Sequence, residues 1–168
     1  MSVFFISDLH FGHENMAIHR GFANADEMNQ HIITQWNSVV HKRDCVYILG
    51  DITMEKSREY PMLDLLKGDK NVVLGNHDMK NHVPLLLKYV QSVAGMIAYK
   101  NEFILTHCPI HPHELTFRFK YNIHGHNHTE RILKEDYTTI DPRYINVSCE
   151  RLEYKPIEFN ELKQTYCK

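Results

Sequence analysis

Cysteine, glycine and tryptophan are scarce in this chain of 168 residues, at four, seven and one. The cysteines (Cys45, Cys108, Cys149 and Cys167) form no C-x-x-C pair, which argues against a thiolate zinc site or a dithiol redox centre. Cys45 and Cys149 sit in or beside apolar runs and read as small buried hydrophobes. Long apolar runs are missing too. The first, Val3–Ile6, is shorter than the roughly 7–15 residues of a signal-peptide core, and no run approaches the roughly 20 that cross a bilayer. A cytoplasmic location with no membrane partner is the expectation. Positive charge is not in excess either. The net charge is −2 and the pI about 6.7, against roughly 9 or more for a basic nucleic-acid footprint. Extended nucleic acid is disfavoured as a partner, and a small substrate is favoured.

What is present is enough for a packed core. Leu, Ile, Val and Phe make up 46 residues, above the roughly 20% floor below which chains stay disordered. The length suits one domain spanning residues 1–168. Apolar runs predict strands at Val3–Ser7, Cys45–Leu49, Asn71–Leu74, Tyr121–His124, Ile145–Ser148 and Pro156–Phe159. A hairpin is expected from Met96–Tyr99 and Glu102–Thr106 around Lys100-Asn101. Asn24 with Glu27 resembles a capping box, and Met28, Ile32 and Trp36 follow at helical spacing. A second helix is predicted at Ser57–Leu66 with Met62, Leu65 and Leu66 inward, a turn or two at Pro84–Val90, and a last helix at Asn160–Tyr166. Strands alternating with helices, then mainly strands, predict an α/β fold.

Histidine is unusually abundant, at thirteen residues. Five strand-like runs end in Asp, His or Asn: Asp8-Leu9-His10, Gly50-Asp51, Gly75-Asn76-His77-Asp78, His107, and His124-Gly125-His126-Asn127-His128. Loops at the carboxyl ends of parallel strands gather in one crevice, so the five clusters are expected to meet. Oxygen and imidazole donors suit Mn, Fe, Zn or Ni rather than Ca. Asp8 and His10, like His126 and His128, are two apart and would point to one side of an extended strand end. Seven donors are too many for one four-coordinate zinc, and they fit two metals sharing a carboxylate. His13 reads either as a substrate contact or as a surface histidine, and His124 as a core residue. His111, His113, Arg118 and Lys120 read as solvated loop residues that could reach a substrate phosphate. Arg20 and His19 read as surface residues.

In this order the motifs resemble the calcineurin-like metallophosphoesterases, whose pattern is D-x-H, G-D, G-N-H-[DE], a lone His after a strand, and G-H-x-H. The resemblance runs from Asp8 to His128. It implies two β-sheets packed as a sandwich and flanked by helices, in four αββα layers. One metal would take Asp8, His10, Asp51 and His128, and the other Asp51, Asn76, His107 and His126. His77 would be the catalytic imidazole, with Asp78 behind it. Asn76 and, apart from the resemblance, His13 are the candidate substrate contacts. The protein-phosphatase extension G-D-x-x-D-R-G is absent, since Gly50-Asp51 continues as Ile52-Thr53-Met54-Glu55. The small size resembles phosphodiesterases of bacteria and their viruses.

That chemistry has a physical logic. Two divalent ions about 3.5–4 Å apart repel by roughly 18 kcal/mol at an effective dielectric of 20, so an anion such as Asp51 and a hydroxide must lie between them. That hydroxide would attack phosphorus, and His77, an imidazole and so the side-chain type suited to moving a proton near neutral pH, would protonate the leaving oxygen. A phosphodiesterase acting on small or cyclic nucleotides with two transition-metal ions, Mn first, is the expectation. A phosphomonoesterase and a non-catalytic scaffold are the alternatives.

Overall fold

The computed structural model describes residues 1–167. In chain order the elements are β1 (Val3–Ile6), α1 (Glu14–His19), α2 (Ala25–Val39), β2 (Cys45–Ile48), a 3-10 helix (Ser57–Leu65), β3 (Asp69–Val73), α3 (Val83–Leu86), β4 (Ser92–Ala94), β5 (Ile97–Tyr99), β6 (Phe103–Leu105), β7 (Tyr121–His124), β8 (Tyr144–Asn146), β9 (Ile157–Glu158) and α4 (Phe159–Tyr166). Short 3-10 turns lie at Lys80–His82, Pro112–Leu115 and Cys149–Leu152.

Local chemistry accounts for several of these. The Asn24 side chain accepts from Glu27 N at 2.9 Å, and the Glu27 carboxylate accepts from Ala23 N at 2.6 Å. Those two bonds start α2, whose Met28, Ile32 and Trp36 are fully buried. Lys100 and Asn101 both take positive φ, 47° and 61°, within the three-residue loop 100–102 that joins Tyr99 to its antiparallel partner Phe103. The segment expected as a second α-helix is 3-10 instead. Pro61 lies inside it without an amide hydrogen to donate, and the tighter winding rotates the faces. Leu63 is therefore buried, and Leu65, expected inward, is 58% exposed. Helix α1 and strand β4 had no periodic signal to announce them.

The strands form two mixed sheets flanked by helices. The first has the order β4-β3-β2-β1-β9, parallel except for β9, and the second β5-β6-β7-β8, parallel except for β5. Helices α1 and α2 cover one face of the first sheet around Trp36, Ile32, Ile48 and Val72. Phe5, Leu49, Val73, Leu105, Ile123 and Ile145 fill the space between the sheets. At their carboxyl ends the sheets join: Ser7 N donates to Val147 O at 2.9 Å, and Cys149 N to Ser7 O at 3.1 Å. The outer face of the second sheet has a thinner cover, with Ile104 and Tyr144 packed against Leu115 of a 3-10 turn and against Ile132. Among the described residues no helix is long and apolar enough to cross a membrane.

Candidate metal centre

The strands β1, β2, β3, β6 and β7 all present their carboxyl ends to one crevice where the two sheets join. The loops there lock onto one another. Asp8 N donates to Gly50 O (3.1 Å), His10 N to Asp51 O (3.0 Å) and Gly125 N to His107 O (2.9 Å). Two motif glycines are close-approach positions. A Cβ on Gly75 would land on the Asp51 carboxylate, and one on Gly125 would land on Ser7 Oγ and crowd Asp8.

All seven ligand-type residues meet here. Asp8, His10 and His128 bring donor atoms within 4.8 Å of one another, as do Asp8, Asp51 and His107. Asn76 Oδ1 lies 2.9 Å from His107 Nε2, and the His126 ring is 5.1 Å from that of His107. The means of convergence differs from the expected strand parity. Asp8 (φ 60°), His10 (49°), Asp51 (53°), His126 (65°) and His128 (47°) are all left-handed, so side chains are aimed by turns and not by an extended strand end. Non-glycine residues in that region cost about 1–3 kcal/mol each and cluster at functional sites; Asp and His tolerate it better than most residues.

Asp51 is the hub. Its Oδ2 lies 3.3 Å from His107 Nε2 and 3.8 Å from His10 Nε2, while Oδ1 accepts from His77 N at 3.0 Å. Burial works to raise its pKa, and the His107 hydrogen bond and charge outweigh it, holding the carboxyl below its usual range. Asp8 is fully buried, and burial pushes its pKa up; both its oxygens accept from His126 N, at 3.2 and 3.0 Å.

His107 donates Nδ1–H to Leu49 O at 2.8 Å. Its Nε2 therefore faces two oxygens, of Asn76 and Asp51, a convergence that needs either a proton on that nitrogen or a cation among them. His10 is 2% exposed, and neither of its ring nitrogens has a hydrogen-bond partner. Burial, reinforced by the Arg20 charge, drives its pKa down to about 3, so the imidazole is neutral and keeps a lone pair beside Asp8 and Asp51. An orphaned buried imidazole facing two carboxylates is the donor set of a transition-metal ion, and the residues fit such an ion.

Two charged residues that the sequence reading did not place brace this cluster. Arg20, read as a surface residue, has a side chain only 1% exposed. It donates to Asp8 O (2.7 Å), Leu9 O (3.3 Å) and the Glu150 carboxylate (2.7 and 2.8 Å). Glu150 Oε1 also accepts from His128 Nδ1 at 2.9 Å. Burial raises the Glu150 pKa, but the His128 hydrogen bond and the Arg20 charge outweigh it and bring it to about 2. Glu150 in turn raises that of His128. Glu150 follows β8 as the other polar groups follow their strands, so the same strand-then-polar signal could have found it. Arg20 follows the unannounced helix α1 and had none.

Asp78 is not behind the His77 ring. Its oxygens accept from Asp51 N (2.8 Å), Gly75 N (2.8 Å) and Ile52 N (3.2 Å), so it ties two loops together from beneath. Glu55 stands beside His77 instead, with Oε1 3.5 Å from Nδ1. The His77 ring is 6.0 Å from His10 and its side chain 27% exposed, at the rim. His13 is also 6.0 Å from His10, but its Nδ1 accepts from Met16 N at 2.8 Å and caps α1. His124 is buried against Tyr144, as expected of a core residue, and donates Nδ1–H to Gly125 O. Lys120 pairs with Glu102, Arg118 lies over Phe119, and His111 accepts from His113 N; none is bonded to the cluster. Cys108, exposed, brings Sγ within 4.8 Å of His107 and His126 nitrogens, a placement that its lone position in the sequence did not suggest.

Paired sheets with a crevice of Asp, His and Asn at their carboxyl ends define a class, and comparison agrees. The profile of the calcineurin-like phosphoesterase superfamily domain matches residues 1–147, and the chain belongs to that family. An uncharacterized protein of Methanocaldococcus jannaschii is 35% identical, over 94% of this chain and 87% of its own length. The gene 66 protein of Mycobacterium phage D29 is 32% identical over 87% of this chain and 86% of its own. A solved structure of a protein of unknown function from Aquifex aeolicus superposes with a TM-score of 0.73 at 28% identity, covering 98% of both chains.

Proposed function

We infer that this chain is a metal-dependent phosphodiesterase that hydrolyses small or cyclic nucleotides with two divalent transition-metal ions, Mn²⁺ first among them. The observation that carries the reading is His10, buried, with both ring nitrogens unpartnered opposite two carboxylates. A buried polar group left unsatisfied costs about 1–3 kcal/mol, and a cation among these donors removes that cost. Asp8, His10, Asp51 and His128 would hold one ion, and Asp51, Asn76, His107 and His126 the other, with Asp51 shared. When bound, the ions supply Lewis-acid polarisation of the phosphoryl oxygens and lower the pKa of a water towards about 7.

The remaining work falls to the protein. His77 stands at the rim, its backbone anchored to Asp51 Oδ1, and donates a proton to the leaving oxygen. Glu55 beside Nδ1 orients the ring, and Asp78 fixes the loop that carries it. His13 spends Nδ1 on its helix cap and keeps Nε2 for a substrate oxygen. Arg20 gives its donors to Asp8 O, Leu9 O and Glu150, so it does not clamp a second phosphate charge. A singly charged diester fits that supply of positive groups better than a dianionic monoester.

The test is hydrolysis by chelator-stripped and Mn²⁺-reloaded protein of bis(p-nitrophenyl) phosphate and of a 3′,5′-cyclic nucleotide. Turnover is expected only after reloading. His77→Ala should cost about 10²–10⁴ on the cyclic nucleotide, whose alkoxide leaving group needs a proton, and less on the nitrophenyl diester. Turnover confined to monoesters would replace this reading with a phosphomonoesterase. No turnover of either class with two ions bound would indicate a scaffold.

A further inference from the structure

Away from the metal-ligand cluster, the outer side of the second sheet carries a cavity of about 660 Å³ between β7, β8, the carboxyl end of α4 and the segment after His128. Its charge is one-sided. Of fourteen lining residues, four are cationic (Lys120, Arg131, Arg143 and Arg151) and none is acidic, in a chain with more acidic than basic residues. Lys120 pairs with Glu102 and Arg143 with Asp141. Arg131 and Arg151 form no ion pair among the described residues. The rest of the lining is largely apolar and aromatic, with Tyr144 held rigid by its hydroxyl, which donates to Ile110 O at 2.7 Å.

We propose that this cavity is a second ligand site, separate from the metal centre, and that it takes a nucleoside phosphate. The volume lies within the roughly 300–1,000 Å³ of pockets that enclose small organic ligands, and far exceeds what a lone phosphate fills. Unpaired guanidinium groups recognise phosphate oxygens in bidentate fashion, and tyrosine faces accept a planar base. The two sites share a wall. Asn146, in the cavity lining, donates its side-chain amide to His128 O (2.9 Å) and Glu130 O (3.1 Å), and Arg151 adjoins Glu150, which accepts from His128. The proposal rests on the cavity alone and stands whether or not the metal centre hydrolyses diesters.

Photolabelling of the Mn²⁺-loaded protein with 8-azidoadenosine diphosphate, followed by peptide mapping, tests it. Label is expected on the Lys120–Tyr121, Pro142–Asn146 or Thr165–Tyr166 peptides, competed by ADP and not by adenosine or inorganic phosphate alone. The double variant Arg131→Glu, Arg151→Glu should weaken ADP at this site by about a hundredfold or more, at about tenfold or more for each charge-assisted hydrogen bond lost. Ile140→Trp, which fills the cavity without touching its charge, should have the same direction of effect. Label confined to the Gly75–Asp78 or Gly125–His128 loops, label indifferent to all three changes, competition by phosphate alone, or no label would overturn the proposal.

Discussion

His10 and His126 are both imidazoles delivered by left-handed turns after a strand, and their surroundings are opposite. His10 is sealed, with the Asp8 and Asp51 carboxylates in front and His128 stacked on its ring at 5.3 Å. Behind that flank lies an ion-pair network, from Arg20 to Glu150 to His128, which sets positions and tautomers in advance. His126 is exposed, as are Asn76 and Cys108, and His77 stands half-open between the flanks. One flank is built into the stability of the fold; the other is built for access. Asp51 belongs to both.

The largest expected effect strikes the shared group. Asp51→Asn should drop bound metal from two ions per chain to one or none, measured by elemental analysis after gel filtration. Diester turnover should fall by more than the factor lost in His77→Ala. The reverse pattern holds for Arg20→Ala, which reaches only the sealed flank. Removing one partner of a buried ion pair costs about 3–5 kcal/mol, and a urea midpoint should fall accordingly, whereas His77→Ala should leave that midpoint in place. Equal midpoints for the two variants would erase the distinction between flanks.

Glu150→Gln is a gentler probe. Loss of a partner behind a metal-binding histidine typically costs about 10–100-fold in metal affinity, and calorimetric titration should find that loss in one of the two binding events only. The same residue sets an acid limb. Its folded pKa of about 2 lies below its ordinary 4.5, so its stabilisation is complete above about pH 4.5 and is lost as pH falls towards 2. In chelated protein, thermal melts across that window should flatten in the Gln variant. Smallest is Cys108→Ser on the open flank. A soft thiol near His107 and His126 favours Zn²⁺ over Mn²⁺, and competition between the two ions should shift by less than about tenfold towards Mn²⁺.

The ligand-type residues of both flanks were legible in the sequence, and the side chains that brace them were not. Asp8, His10, Asp51, Asn76, His107, His126 and His128 each follow an apolar strand closely, and parallel strands bring such ends together without any long-range information. Asn24 and Glu27 marked the start of α2, and Lys100-Asn101 the hairpin, for equally local reasons. Side chains acting across the fold left less trace. Arg20 reaches Glu150 across 130 residues, and nothing in its neighbourhood distinguishes it from a solvated arginine. Asp78, adjacent to His77 in sequence, turns instead to three backbone amides because the loop conformation aims it inward. Pro61 altered a helix that periodicity alone described as α.

The central claim is that one carboxylate serves two ions, one in each flank. Titrating metal-free protein with Mn²⁺ under electron paramagnetic resonance tests it directly. The account predicts two ions per chain, with an exchange-coupled signal growing in as the second binds, and with His126→Ala retaining the first ion and losing the coupling. One ion per chain, or two that never couple, would contradict it.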